Sequence, residues 1–254
     1  MAPKFVDHFG KVSSKYLTFR PTYPNELFDI IRDYTQSDTT RQLAFDIGCG
    51  NGQATVKLAD MYEKVIGFDP SEGQITSAQP HPRVEYRVSP AEKIDWHPDG
   101  SVDLITVAQA VHWFDLPTFY NETKRLLKPK TGSLIIWGYG TCSIVNNDKA
   151  QQIHRHVCDE YWPSNRKFVD REYVDIIPTY SNTIRKNTSF NKKLSIGDMI
   201  GYYSTWSGYN QYLKTNECKL PSLKEQLLNA YNTTDENTEI ELSFPLFIIL
   251  SKKD

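Results

Sequence analysis

Between Gln42 and Gly138 short apolar runs recur along the chain, with helix-like segments between them. Gln42–Ile47, Lys64–Asp69, Val84–Val88, Val102–Ala108 and Gly132–Gly138 read as five strands. Gln42–Ile47 is a short continuous apolar run, the pattern of a parallel strand covered on both faces. Gln53–Tyr62 and Leu116–Leu127 read as helices, and Ser71 or Pro70 opens another after the second strand. Pro98–Ser101 is the turn that introduces the fourth strand. Such alternation leaves one main solution, a doubly wound α/β fold with a mostly parallel sheet and right-handed crossovers. Ligands of these sheets sit beyond the carboxyl ends of the strands, where the strand order reverses.

The flanks are read from the same periodicities. Phe5, Phe9, Val12 and Tyr16 fall at helical spacing and Pro21 ends that helix; Pro24 then opens a second, with Leu27, Ile30, Ile31 and Tyr34. Beyond residue 140, Lys149–Tyr161 and Leu223–Tyr231 read as helices and Ile240–Ser251 as a closing strand. Pro245 within it predicts a bulge or an edge position. The expectation is one domain over 1–254: an N-terminal helical cap (1–35), a ligand-binding core (41–140), a helical lid insertion (141–235) and a closing strand (236–254).

The first strand runs into Asp46-Ile47-Gly48-Cys49-Gly50-Asn51-Gly52. Glycines in a strand-to-helix turn let the backbone approach a ligand with no Cβ in the way. Asp69 ends the second strand, 23 positions after Asp46, where an acid can accept hydrogen bonds from both hydroxyls of a ribose. A dinucleotide turn requires G-x-G-x-x-G, and neither register gives it: the sixth residue is Gln53 from Gly48 and Thr55 from Gly50. The G-x-G-x-G found, with an acid two residues ahead, resembles the turn of methyltransferases that use S-adenosylmethionine. Asp46 would repel a pyrophosphate, whereas it suits a cationic amino acid. After the third strand, Ser89-Pro90-Ala91-Glu92 stands where this fold meets adenine, with Glu92 or the backbone of Ala91 as the contact. For Glu92 the alternative is a solvated surface carboxylate.

Farther on come Ala108-Gln109-Ala110-Val111-His112-Trp113-Phe114, Arg20-Pro21-Thr22-Tyr23-Pro24 and Ser204-Thr205-Trp206-Ser207. Together they resemble the small-molecule methyltransferases that include trans-aconitate methyltransferase and the fungal cantharidin-detoxifying methyltransferase, over almost the whole chain. The resemblance implies a Rossmann-like sheet of seven strands, S-adenosylmethionine as cofactor, no metal, and a carboxyl or hydroxyl oxygen as methyl acceptor. It implies cofactor contacts from Tyr16, Asp46, Gly48, Cys49, Gly50, Asp69, Ala91, Glu92 and Gln109. His112 and Arg20 are the catalytic candidates, and Trp113, Tyr202, Tyr203 and Trp206 the substrate-facing ones. Alternatives stay open for each. His112 is a base or a hydrogen-bonded wall residue. Trp113 closes a sulfonium pocket by cation–π contact or fills the core. Tyr16 and Arg20, one helical turn apart, cap the cofactor or lie at the surface. The late aromatics form a lid or pack a core.

Composition narrows the partners. A net charge of −2 and a pI near 6.3 advertise no field for a phosphate backbone. The fourth strand is followed by neither Asn/Asp-Pro-Pro-Tyr nor Pro-Cys, which base-modifying methyltransferases use. Four dispersed cysteines and no CxxC pair fit reduced thiols rather than a zinc cluster. With no signal peptide and no membrane-length apolar run, the expectation is a cytoplasmic monomer or weak homodimer. Two other readings remain: a regulatory protein that binds S-adenosylmethionine without catalysis, and a methyltransferase for RNA or protein.

Overall fold

A computed structural model describes residues 19–36, 40–161 and 166–254. Five parallel strands, β1 (Leu43–Ile47), β2 (Lys64–Asp69), β3 (Val84–Val88), β4 (Leu104–Ala108) and β5 (Ser133–Tyr139), stand in the order β3-β2-β1-β4-β5. Each lies where the apolar runs predict. The chain steps outward from β1 to β3, then returns to lay β4 against the other side of β1. The order therefore reverses between β1 and β4, which puts the ligand crevice at their carboxyl ends. Three antiparallel strands extend the sheet past β5: β6 (Ser143–Ile144), β7 (Asn182–Ser195) and β8 (Glu239–Lys252). With them the sheet has eight strands among the described residues, one more than expected, and the shortest, β6, has two residues.

Helices cover both faces because successive strand side chains point opposite ways. Among the described residues four belong to the first half: α1 (Asn25–Tyr34), α2 (Thr55–Leu58), α3 (Glu72–Thr76) and α4 (Leu116–Leu126). On one face Ala44, Val65, Leu104 and Ile135 pack against Leu27, Phe28 and Ile31 of α1 and Leu58 of α2. On the other, Phe45, Ile66, Ile105 and Leu134 pack against Phe119 and Leu126 of α4. The segment Gln53–Tyr62 is less regular than predicted. Only Thr55–Leu58 is α-helical, and the chain closes through tight turns such as Asp60 N–H to the Lys57 carbonyl.

A third cluster forms in the insertion between β5 and β8. It is built by α5 (Asp148–Tyr161), α7 (Ile196–Ser204), α8 (Ser207–Tyr212) and α9 (Leu220–Ala230) around Trp206, Tyr203 and Phe244, while the short α6 (Lys167–Asp170) between α5 and α7 packs Phe168 and Val169 on the cluster under α4. The helix and strand over 149–161 and 240–251 fall where predicted. β7 was not foreseen, because most of its 14 residues are exposed and polar and leave no apolar alternation to read. Pro245 is neither at an edge nor in a bulge: β8 is paired with β7 throughout and with β5 from Leu246 onward. Pro245 falls in the gap between the β6 and β5 pairings, so its missing N–H removes no bond on that side. There the Gly140 N–H donates to the Pro245 carbonyl, and a Cβ on Gly140 would lie 2.9 Å from the proline ring.

Candidate active site

The glycine turn is drawn over the end of β2. The Gly48 and Cys49 N–H groups both donate to the Phe68 carbonyl, at 2.7 and 2.9 Å, and the Gly50 N–H donates to Asp69 Oδ2 at 2.9 Å. Gly52 has φ +86°, and a Cβ there would penetrate the Tyr86 hydroxyl and stand 2.8 Å from its Cζ. Gly50 also has positive φ, but a Cβ on it would meet only Gln74 Oε1, at 3.7 Å. One face of the turn is packed shut and the other opens beside Gln74. Gly48 packs on Ala110 at the tip of β4, and the Cys49 thiol is buried, which pushes its pKa well up.

Two buried polar atoms of this region have no hydrogen-bond partner among the described residues: Gln74 Oε1 at the opening and Asn51 Nδ2 in the turn itself, on side chains 5% and 3% exposed. Such atoms are uncommon in a folded interior and mark a place where a donor and an acceptor are still owed to something. Neither was foreseen from the sequence. Asn51 lies within the motif and Gln74 five residues after Asp69, so proximity was the available signal.

Asp69 sits at the tip of β2, its second oxygen accepting from the Ser71 N–H at 2.9 Å. The two amides fix the carboxylate plane, and a carboxylate has lone pairs for more than two donors. Asp46 lies deeper, fully buried beneath the turn. Thr55 and Thr106 donate their hydroxyls to its two oxygens at 2.6 and 2.8 Å. Desolvation raises its pKa from 3.8 to about 6, against the pull of those two hydrogen bonds.

At the tip of β4, Gln109 takes φ +56°, rare for a residue with a side chain. It is held there by its N–H to the Trp137 carbonyl and its Nε2 to the Tyr139 carbonyl, at 3.0 and 2.9 Å. The next turn buries Val111 and brings His112 to the crevice side, its Nδ1 2.8 Å from the Tyr173 hydroxyl. Burial, with a smaller contribution from the Arg166 cation, lowers the His112 pKa to about 4, so the ring is neutral at pH 7. Trp113 is 47% exposed and therefore fills no core. Ala91 is buried, and Glu92 Oε1 accepts from the Asp115 N–H ahead of α4, at 2.9 Å. The Glu92 carboxylate is thus engaged at a helix start.

The aromatics of the insertion are placed differently from a pocket wall. Tyr202, Tyr203 and Trp206 are all buried within the lid's own cluster, with Tyr203 and Trp206 ring centres 4.9 Å apart. Tyr203 bonds its hydroxyl to His154 Nδ1 at 2.8 Å. Arg20 joins this cluster: its guanidinium stands 5.4 Å from the Tyr202 ring centre and donates to the Thr205 carbonyl at 3.2 Å. Tyr16 lies outside the described residues. A second guanidinium, Arg166, is nearly buried beside the tip of β5, bonded to Asp170 and to the Thr141 hydroxyl. Next to it a cleft of about 530 Å³ opens between the segment after β5 and α5, walled by Thr141, Cys142, Gln151, His154 and Asp170. Among the described residues no group of three or more His, Cys, Asp or Glu could hold a metal ion. Nor is any described helix long and apolar enough to cross a membrane.

Comparison with known proteins agrees with this geometry. Residues 45–136, from β1 to β5, match the methyltransferase domain family. A Dictyostelium discoideum protein named as a methyltransferase is 55% identical over 99% of this chain and 97% of its own length. A Saccharomyces cerevisiae protein named as an S-adenosylmethionine-dependent methyltransferase is 22% identical, covering 95% of each chain. A solved structure from Anaeromyxobacter dehalogenans, named as a type II methyltransferase, superposes with a TM-score of 0.77 at 29% identity. It covers 92% of this chain and 98% of its own. A glycine turn drawn onto an acid at the tip of β2, a crevice at the β1–β4 reversal and a relative more than half identical along its length lead to one assignment: the chain belongs to the family of methyltransferases that use S-adenosylmethionine.

Proposed function

We propose that this enzyme methylates an oxygen, carboxylate or hydroxyl, of a small organic molecule, as the trans-aconitate and cantharidin methyltransferase group does. S-Adenosylmethionine, when bound, supplies a methyl group on a cationic sulfur. The observation that supports its placement is a pair of buried atoms without a partner among the described residues, Gln74 Oε1 beside the open face of Gly50 and Asn51 Nδ2 on the next residue of the turn. A ligand rich in hydroxyl, amino and carboxylate groups satisfies both. Asp69 is set to receive the ribose hydroxyls, Asp46 to bias the turn toward a cation, and Gly48, Cys49 and Gln109 to present backbone at the strand tips. Ala91 lines the adenine side.

What remains for the protein is to bring the acceptor oxygen in line with the sulfur–methyl bond and to exclude water. Neutral His112 sits at the tip of β4 for that purpose, and half-exposed Trp113 is set to close over the sulfonium. The cleft between α5 and the segment after β5, whose lining includes Arg155 as well as Asp170, gives a small acceptor room. Arg20, Tyr202, Tyr203 and Trp206 then shape the lid rather than touch the reacting atoms. The near-neutral charge supports a small-molecule acceptor over nucleic acid or a membrane, and we place the enzyme in the cytoplasm as a monomer or weak homodimer.

The test is methyl-labelled S-adenosylmethionine offered with a panel of small organic acids and phenols. The expected result is label in at least one of them, together with micromolar binding of S-adenosylmethionine, about −7 to −8 kcal/mol. Label appearing only in added RNA or protein would replace this reading.

A further inference from the structure

Tyr173 lies 61 residues beyond His112, in a turn of the insertion, and its side chain is completely buried. Its backbone has φ +56°, and three bonds hold it there. Its N–H donates to the Phe168 carbonyl at 2.8 Å, its carbonyl accepts from Arg185 Nη1 at 2.9 Å, and Ile176 N–H donates to the same carbonyl. Its ring meets Phe247 of β8 edge-on, 4.9 Å between centres. A Cβ on Gly138 of β5 would stand 2.4 Å from the Phe247 ring and 3.1 Å from the Tyr173 ring, so the bare glycine makes room for the packed pair. An exposed tyrosine hydroxyl needs none of this. A strained, pinned and fully buried tyrosine that delivers one hydroxyl to one ring nitrogen of the His112 side chain is built for that contact.

The bond has a preferred direction. A phenol is a better donor than acceptor, and the unprotonated nitrogen of a neutral imidazole is the ring's acceptor. O–H to Nδ1 therefore pairs the stronger partners and leaves the proton on Nε2. Burial, with Arg166 as the charged neighbour, lowers the ring's pKa to about 4, so protonation of both nitrogens does not compete at neutral pH.

We propose that Tyr173 is a positioning residue whose hydroxyl donates to His112 Nδ1, fixing the tautomer in which Nε2–H is offered to the methyl acceptor. His112 then acts as a hydrogen-bond donor that orients an acceptor oxygen, and takes no proton from it. The assignment rests on the methyltransferase reading of this crevice, but its first test does not. Nitrogen-15 resonances of the His112 ring in the ligand-free protein at pH 7 should show one tautomer, with Nε2 protonated and Nδ1 not. Tyr173→Phe keeps the ring packing and should yield mixed tautomers. Activity gives the second test, on any acceptor found with the labelled cofactor. Tyr173→Phe should lower kcat about tenfold, with unchanged S-adenosylhomocysteine affinity by calorimetry. Added to His112→Gln it should cost nothing further, because both changes remove one device. A ring protonated on Nδ1, a tautomer unmoved by Tyr173→Phe, or fully additive losses overturns the proposal. Failure to bind S-adenosylhomocysteine at all would instead overturn the reading of the crevice. The wild-type tautomer decides the matter even if the variant does not fold.

Discussion

Replacing Asp46 by Asn separates what the buried acid does to the fold from what it does for the ligand. The Asp46 carboxyl is fully buried, and its pKa rises from 3.8 to about 6 with desolvation as the main cause. Because the folded value lies above the unfolded one, the native state holds this proton more tightly. Stability from this group is therefore fully present below about pH 4, falls as pH climbs toward 6, and is flat above. At about 1.4 kcal/mol for each tenfold in acidity, the charge costs the ligand-free protein about 3 kcal/mol at pH 7. Asn keeps one oxygen for a threonine hydroxyl and turns a donor toward the other, whose hydroxyl can rotate to accept. Some strength is lost with the charge-assisted bonds, so the expected gain at pH 7 is about 2 kcal/mol, or about 4 to 8 °C in melting temperature. The gain should vanish near pH 4. S-Adenosylmethionine affinity should fall at least tenfold, since the negative charge under the turn is gone. Thermal melts of ligand-free protein from pH 4 to 7.5, with calorimetric titrations at pH 7, measure both. A variant less stable than wild type at pH 7, with a parallel pH profile, would refute the argument.

Three further predictions come from single contacts. Gly52→Ala should lower stability by at least about 2 kcal/mol in denaturant unfolding, because its Cβ enters the Tyr86 side chain at positive φ; a wild-type unfolding midpoint would count against the geometry. Asn51→Ala and Gln74→Ala should each weaken S-adenosylmethionine about tenfold in calorimetry while leaving the melting temperature within a degree or two, since each removes a buried atom that has no hydrogen-bond partner among the described residues. Glu92→Ala should lose about 1 kcal/mol of stability with the bond to the Asp115 N–H. Its cofactor affinity should stay within twofold, and a large loss would return Glu92 to the adenine site.

Four of the parallel strands were legible because they are buried on both faces, so sequence and burial coincide almost residue by residue in β1, β4 and β5, whereas β3 at the end of the parallel set is only half-buried and was read from Val84, Tyr86 and Val88. The glycine turn was legible for a related reason: packing at Gly52 and positive φ at both Gly50 and Gly52 disfavour a side chain, and glycine is the visible trace. β7 left no trace, since an exposed strand that borrows its order from β8 needs no apolar face of its own. Arg166 was passed over because sequence gives no sign that a particular arginine will be buried against a threonine and an aspartate. Pro245 misled for the opposite reason. Its rule holds for a strand with ladder partners on both sides, and here the strand changes partner at that residue.

His112 and His154 show where sequence reasoning stops on function. Both histidines place Nδ1 2.8 Å from a tyrosine hydroxyl, and burial takes both to a pKa of about 4. By residue type, aromatic company and basicity they are the same. What separates them is the second nitrogen. His154 Nε2 donates to the Cys142 carbonyl at 2.8 Å, which fixes Nδ1 as the acceptor from Tyr203 and uses both ends of the ring on the protein. That ring is a strut between β5 and the lid. His112 stands instead on the strand tip at the order reversal, bonded through Nδ1 to a residue of the insertion. On the role proposed above for His112, the same tyrosine–imidazole pair serves packing at one place and the crevice at the other, and the position set by the sheet decides which. A methyl transferred from sulfur needs placement more than it needs a nucleophile or a metal, so its residues carry few chemical signatures. For this chain the topology, more than any residue type, points to the reacting atoms.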